Sequence, residues 1–192
     1  DQSGILYLNT KKWYHDRNKN NDDDNTDRAH FRDRNSVMQL MKLYGKQRNV
    51  NEARKLHSEM KILIPKQDIY IGTALLSMLA KCGALNEARE IFENLPYRNI
   101  VSWNALIAGY AQYGHFDASL ECLKHMRNEG ISPDSVTFKC LVKGCASTGS
   151  LEIGEEIHAE VRKHGLLESN NVILGSALIG MYAKCGAIVK AQ

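Results

Sequence analysis

Apolar side chains recur at helical spacing through residues 34–192, and glycine interrupts the recurrence at regular intervals. Residues three or four apart share one face of an α-helix, so each uninterrupted stretch predicts a short amphipathic helix. Glycine reaches the left-handed conformation that ends a helix, which places a turn at each interruption. The clearest example is Gly83, which has one apolar stripe before it and another after it: Ala74, Leu75, Met78, Leu79 and Cys82, then Leu85, Ala88, Ile91, Phe92 and Leu95.

The same pattern is repeated along the chain. The string AKCGA occurs twice, at 80–84 and 183–187, and a weaker copy is visible where residues 44–56 parallel residues 79–91. One helical hairpin cannot bury its apolar face alone, whereas stacked hairpins bury a continuous core, so this recurrence predicts an all-α solenoid. One glycine stands at the same position of four repeats, after the predicted first helix, and we call these the frame glycines. They are 31, 35 and 37 residues apart: Gly83, Gly114, Gly149 and Gly186.

Residues 1–33 have a different composition. No apolar side chain occurs from Asp16 to Arg28, and Asn and Asp dominate there. Such a stretch cannot bury enough surface to offset the entropy of ordering it, so we expect residues 1–33 to be a polar, disordered segment. Its aspartates do not match a calcium-binding loop, which needs a turn glycine and a closing glutamate. Because the chain begins at Asp1 and stops at Gln192 within a repeat, we expect it to be a fragment.

Composition narrows the function classes. The chain has 25 basic and 22 acidic side chains, and residues 34–99 hold eleven basic and six acidic ones, a balance that permits a polyanionic partner without requiring one. Five cysteines without a CxxC spacing indicate neither a zinc site nor a disulfide framework, and no run of 18 apolar residues could span a membrane. Phosphate-loop and zinc-deaminase motifs are absent. We therefore expect a binding protein without metal, cofactor or catalytic residues.

Five segments resemble one family of helical repeats. IVSWNALIAGYAQYGHFDASLECLKHMRNEGISPD (residues 100–134) is similar to the standard 35-residue pentatricopeptide repeat, including its Gly-Ile-x-Pro-Asp close. Residues 69–99 resemble the short 31-residue variant, and residues 135–171, with the run CASTGSLEIGEEIH, resemble the long variant. Residues 172–192 resemble a truncated short unit, and residues 34–68 resemble a degenerate long unit.

This order of long, short, standard, long and short units is typical of the plant PLS subclass of the family, which is associated with organellar RNA editing. The resemblance implies an all-α, right-handed superhelical solenoid of helix-turn-helix hairpins. It also implies sequence-specific binding of single-stranded RNA, one base per repeat, by a specificity factor for organellar processing such as C-to-U editing. The expected partners are an organellar transcript and other editing factors, in the mitochondrion or the chloroplast.

One alternative belongs to another function class. A helical-repeat scaffold that binds protein partners, as tetratricopeptide repeats do, would share the paired helices and a similar period. The W-x-x-L-G-x-x-Y pattern of those repeats is missing from this chain. A deaminase domain elsewhere in the full-length protein is left open.

The resemblance also assigns residues that read bases, because in this family the fifth and the last residue of a unit contact one base. The Asn104 amide can donate and accept at once, which matches uracil, and the Thr73 hydroxyl suits a purine edge. The alternative is that Asn and Thr near helix starts are ordinary caps. The assigned pairs are Thr73 with Asn99, Asn104 with Asp134, Lys139 with Asn171, the unpartnered Ser176, and Met38 with Asp68 in the degenerate unit.

Two further sets occupy equivalent positions in several units. The second residues of four units would lie between successive bases: Tyr70, Val101, Val136 and Ile173. The alternative is that Val101 and Ile173 are core residues at the start of a helix. Three lysines stand two residues before the position of the frame glycine in their units: Lys46, Lys81 and Lys184. They would contact successive phosphates of a nucleic-acid backbone, or would only complement the dipole at a helix C-terminus.

Overall fold

The computed structural model describes residues 26–63, 68–167 and 172–187, and every regular element in these ranges is an α-helix. The helices pair as hairpins, one pair for each predicted unit, and the last unit contributes its first helix. The predicted all-α helical-repeat solenoid is therefore confirmed, whereas its right-handed sense stays a prediction. The helices are α1 (Thr26–Gln47), α2 (Val50–Leu63), α3 (Ile69–Cys82), α4 (Leu85–Glu93), α5 (Ile100–Gln112), α6 (Phe116–Asn128), α7 (Ser135–Thr148), α8 (Leu151–Lys163) and α9 (Val172–Lys184).

Helix α1 starts earlier than the sequence pattern predicted. Its first residue is Thr26, so residues 26–33 are helical, which corrects the expectation of disorder for that part of residues 1–33. Helix propagation adds one hydrogen bond for each residue fixed, and a packed helix can therefore extend into a polar stretch that would not nucleate alone. The expectation for residues 1–25 lies outside the described residues.

The frame glycines end the first helices as predicted. Gly83 has φ 82°, and the next backbone N–H, that of Ala84, donates to the Leu79 carbonyl at 3.0 Å. The other frame glycines, at 114, 149 and 186, also have positive φ. In the degenerate first unit Arg48 takes this position with φ 53°, which shows that the unit keeps the frame without the glycine.

Arg48 offers a direct test of this frame. We expect Arg48→Gly to raise the free energy of unfolding by about 1 kcal/mol, because a left-handed conformation costs a residue with a Cβ roughly 1–2 kcal/mol and glycine is entropically costlier to order. Urea denaturation followed by circular dichroism measures the change. Lys46→Gly, in the last turn of α1, is the matched control and should lower stability by about 1 kcal/mol. A loss of stability in Arg48→Gly would contradict the prediction.

The helices form two layers. First helices of successive units (α1, α3, α5, α7 and α9) pack side by side, and each second helix packs on the first helices of its own and the next unit. Successive second helices are bridged by long side chains, as in the Arg54–Glu87 and Arg127–Glu160 ion pairs at 2.5 and 2.7 Å. The first helices therefore form one continuous layer along the array.

Burial follows the repeat frame. The seventh residue of every unit is a leucine, and removing each of these side chains from water contributes about 1.5–3 kcal/mol to stability. All of them are buried between the two layers: Leu40, Leu75, Leu106, Leu141 and Leu178.

Glycine inside the first helices sets how closely they approach. A Cβ at Gly109 in α5 would lie 2.9 Å from that of Ala80 in α3, and a Cβ at Gly144 in α7 would lie 3.1 Å from that of Ala111 in α5. Both distances are shorter than ordinary van der Waals contact. The side-by-side packing of α3, α5 and α7 therefore depends on these two glycines.

Candidate nucleic-acid interface

Four apolar side chains project from the starts of α3, α5, α7 and α9, and we call them the apolar row: Tyr70, Val101, Val136 and Ile173. Their exposed fractions are 70%, 58%, 43% and 68%, respectively. The alternative that Val101 and Ile173 are core residues is therefore wrong. Each member is the second residue of its unit, so the row places one exposed apolar group per repeat on the first-helix layer.

The last residue of a unit caps the first helix of the next. The Asp68 carboxylate accepts from the N–H groups of Tyr70 and Ile71, and the Asn99 side chain accepts from the N–H of Ser102 at 2.9 Å. Asp134 caps α7 in the same way. The cap alternative thus holds for the last residues, which lie beside the members of the apolar row that start the next unit.

The cap alternative is wrong for the fifth residues. Thr73 and Asn104 lie one turn inside α3 and α5, whose N-caps are Asp68 and Asn99. Both side chains are largely buried, with 9% of each exposed. Their polar groups are therefore not used to start a helix.

The Asn104 amide joins two successive units. Its Nδ2 donates to the Asp134 carboxylate at 3.0 Å, and its Oδ1 accepts from the Thr137 hydroxyl at 2.5 Å. The structure thereby brings together Asn104 and Asp134, the fifth and last residues that the sequence paired. Thr137 was not predicted, because nothing in its own unit shows that it reaches the preceding one.

The charge of Asp134 is maintained by the same contacts. Burial alone would raise the pKa of its carboxyl, but the Thr137 N–H, the Asn104 amide and the Val136 N–H together hold that pKa below its ordinary value. The carboxylate is thus ionised at neutral pH and can only accept hydrogen bonds. It therefore keeps the Asn104 Nδ2, rather than its oxygen, turned toward Asp134.

A cavity of about 390 Å³ opens at the second unit, between two members of the apolar row. Tyr70 and Val101 line it, and Thr73 and Asn99, the predicted reading pair of this unit, lie there with Lys81. The Thr73 hydroxyl is buried without a hydrogen-bond partner, which costs about 1–3 kcal/mol relative to a satisfied group. The cavity therefore combines apolar walls with an unsatisfied polar atom.

Three residues of this cavity extend the sequence prediction. Met38, predicted only as a reader of the degenerate unit, lines the cavity, as do Lys42 and Tyr97, which were not predicted. Tyr97 is 59% exposed. It falls outside the frame positions of the family pattern, so only its proximity in space reveals it.

The fourth and fifth units provide less complete sites. Lys139 is half-buried, and its predicted partner Asn171 lies outside the described residues. The exposed Ser176 donates its hydroxyl to the Val172 carbonyl at 2.7 Å. The predicted role of these three residues stays a prediction.

The three frame lysines are all exposed in the last turn of a first helix: Lys46, Lys81 and Lys184. A positive charge at that place complements the helix dipole, so the structural alternative applies to each. Lys81 also lines the cavity beside Tyr70, where a phosphate contact would be required. Their contact with phosphate stays a prediction.

The cysteines do not form a chemical site. Burial raises the pKa of Cys122 and of Cys145 to about 11, which keeps both thiols protonated near neutral pH. Within residues 26–63, 68–167 and 172–187, no group of His, Cys, Asp and Glu is arranged to hold a metal ion. No helix in the described part of the chain is long and apolar enough to cross a membrane.

Family models for pentatricopeptide repeats match most of the chain. The model described as PPR repeat matches residues 36–63 and 73–100, and the PPR repeat family model matches residues 98–147. The pentatricopeptide repeat domain model matches residues 123–184. Together the matches lie between residues 36 and 184.

Curated plant proteins are similar over much of the chain. A chloroplastic pentatricopeptide repeat-containing protein of Arabidopsis thaliana is 36% identical over 81% of this chain and 25% of its own length. A mitochondrial one from the same plant is 35% identical over 83% of this chain and 15% of its own length. The chain thus spans a quarter or less of these relatives. Their names agree with the organellar location expected from the sequence.

Solved structures with a similar fold include the maize pentatricopeptide repeat protein PPR10. Its crystal structure has a TM-score of 0.45 at 20% identity and covers 81% of this chain and 27% of that chain. PPR10 in complex with an 18-nt psaJ RNA element has a TM-score of 0.43 at 17% identity over 88% of this chain and 31% of that chain. Because the repeat frame, the helical hairpins and the family matches agree, this chain belongs to the pentatricopeptide repeat family.

Proposed function

We propose that this chain binds single-stranded RNA along its first-helix layer, one base per repeat. The apolar row carries the proposal: four exposed apolar side chains recur once per unit, at the starts of α3, α5, α7 and α9. Isolated apolar side chains on a surface need no explanation, but a row at the repeat spacing provides one hydrophobic contact per step of a linear ligand. Unstacked bases are such a ligand, because each has two flat apolar faces and one polar edge.

The polar groups between members of the row match base edges. After its bonds to Asp134 and Thr137, the Asn104 amide retains one N–H and one oxygen lone pair. Uracil presents an imino N–H beside a carbonyl, so it can donate to this oxygen or accept from this N–H. Thr73 has an unsatisfied hydroxyl, which a purine edge in the neighbouring cavity would satisfy. By the family pattern these adjacent units prefer 5′-AU-3′.

The finer assignment rests on the order of long, short and standard units. That order supports a PLS-subclass protein acting as a specificity factor for organellar RNA processing such as C-to-U editing. In this role the array would place a target cytidine for deamination by another domain or by a partner editing factor. The organellar names of the relatives support this setting.

The test is base preference at the position read by Asn104. RNAs of nine nucleotides or so that differ only at the second base of the central AU are titrated into the 192-residue chain, with NMR chemical shifts as the readout because weak binding is measurable. We expect a wrong base to weaken binding by about 1–3 kcal/mol, since it leaves a polar group unpaired. Asn104→Ser with Asp134 retained should shift preference from uracil toward guanine.

Two outcomes contradict the proposal at different levels. An unchanged ratio of uracil to guanine binding after Asn104→Ser would refute base reading by this residue. Equal binding of matched and scrambled RNA, no tighter than expected for a weakly basic surface, would refute sequence-specific RNA binding. That second outcome would favour the protein-binding scaffold, in which the apolar row docks a partner helix.

A further inference from the structure

We infer that Thr137 is a positioning residue that sets base choice in the preceding repeat by fixing the orientation of the Asn104 amide. The inference rests on the proposed function. Thr137 belongs to α7, two residues after the start of its own unit, whereas Asn104 lies in α5. Its hydroxyl is fully buried between these helices and donates to Asn104 Oδ1 at 2.5 Å.

The Thr137 hydroxyl is itself fixed by the cap of α7. It accepts from the backbone N–H of Asp134 at 3.1 Å, and its oxygen lies 3.0 Å from the Asp134 carboxylate. Because the backbone amide uses its acceptor side, the hydroxyl proton is available to the oxygens of Asn104 and Asp134. The contact with Asn104 is the shorter of the two, so the hydroxyl presents a donor to the amide.

Two neighbours with opposite requirements therefore face the Asn104 amide. The Asp134 carboxylate accepts from Nδ2 at 3.0 Å, and the Thr137 hydroxyl donates to Oδ1. Turning the amide by half a turn would place its oxygen against the carboxylate, and the Thr137 hydroxyl could then bond the N–H₂ group only by turning its own proton toward Asp134. The bond to Asp134 would be lost and the present bond from Thr137 broken, so the present orientation is favoured.

Amide orientation distinguishes two bases of the same size. Uracil offers a ring N–H beside a carbonyl, whereas cytosine offers an unprotonated ring nitrogen beside an amino group. For a base held in one register by the apolar row, the free N–H of the observed amide can donate to the uracil carbonyl, whereas the oxygen of the reversed amide would accept from the cytosine amino group. Thr137 therefore contributes to the discrimination of uracil from cytosine without touching the base.

The preceding unit provides a natural comparison. Ser102 takes the same position as Thr137 and forms the equivalent capping box with Asn99. It makes no bond to the fifth residue of the unit before it, because the Thr73 hydroxyl has no hydrogen-bond partner. The contact between units is thus separable from the capping role, and Ser102→Ala removes capping alone.

The experiment compares Thr137→Val, Thr137→Ser and Ser102→Ala in the 192-residue chain, using the central-AU RNA and the same RNA with cytosine at the second base. NMR titration gives the ratio of uracil to cytosine affinity. We expect Thr137→Val to reduce that ratio about 3- to 10-fold, since one of two orienting hydrogen bonds is lost. Thr137→Ser, which keeps the hydroxyl, and Ser102→Ala should retain the ratio of the unsubstituted chain.

The possible results distinguish failure of the inference about Thr137 from failure of the proposed function. If the unsubstituted chain prefers uracil and Thr137→Val preserves the ratio, the inference is overturned while the proposed function stands. A reduced ratio in Ser102→Ala equal to that in Thr137→Val would also overturn it, because capping would then explain both. Lack of uracil preference in the unsubstituted chain would overturn both proposals.

Discussion

Replacing Gly144 with alanine is expected to lower the free energy of unfolding by about 1–3 kcal/mol, the usual cost of inserting a methyl group into a packed core. The new Cβ would lie 2.6 Å from the Phe116 ring and 3.1 Å from the Ala111 Cβ. Phe116 is only 4% exposed, so its ring cannot move out into solvent. Relieving both contacts requires α7 to move away from α5, which carries Ala111, and from α6, which carries Phe116, and this movement would disturb the packing of α7 on both helices. Urea denaturation followed by circular dichroism measures the loss.

A second glycine serves as the matched control. Gly180 lies inside α9, and in the described part of the chain no atom lies within 4 Å of a Cβ added there. Gly180→Ala should therefore raise stability by up to about 1 kcal/mol, because alanine is the better helix former. Opposite changes in the free energy of unfolding for Gly144→Ala and Gly180→Ala would show that packing between repeats decides the effect of the added methyl group. Equal stability of Gly144→Ala and the unsubstituted chain would contradict the close approach of α5 and α7.

Replacing Tyr70 with alanine should weaken RNA binding about 5- to 100-fold, if the apolar row holds bases as proposed. Stacking of a base on an aromatic side chain contributes roughly 1–3 kcal/mol, and each 1.4 kcal/mol is about tenfold in affinity. Tyr70 is 70% exposed and lines the cavity beside Thr73, so removing its ring creates no void in the core. NMR titration with the central-AU RNA provides the measurement.

The control for Tyr70→Ala is Ile179→Ala. Ile179 is an apolar side chain of α9 that is 54% exposed and lies outside the apolar row. Its substitution should leave RNA affinity within about twofold, since it would remove apolar surface without a stacking position. A similar loss in both variants would indicate non-specific attraction to apolar surface. Retention of full affinity by Tyr70→Ala would exclude stacking at this position.

Much of the fold could be predicted from the sequence because its signals are local. Apolar spacing reports which residues share a helix face, and glycine reports where the chain needs a left-handed conformation, so the hairpin at Gly83 follows from a short stretch. Arg48 shows the strength of the frame, since a residue without glycine's freedom adopts that conformation when its neighbours repeat the pattern. The early start of α1 was missed, because a polar stretch gives no sign that a packed helix will extend into it.

The candidate site likewise has features that the sequence predicts and features that only the tertiary structure shows. The sequence by itself determined which residues stand second, fifth and last in each unit, and its resemblance to the family implied the pairing of Asn104 with Asp134. Only the tertiary structure decided that Val101 is exposed and not in the core, that Asn104 lies inside its helix and not at its cap, and that Thr137 reaches across to the preceding unit. The physical reason is that exposure and hydrogen bonding depend on how adjacent helices stack, and stacking brings together side chains some 30 residues apart that no local pattern relates.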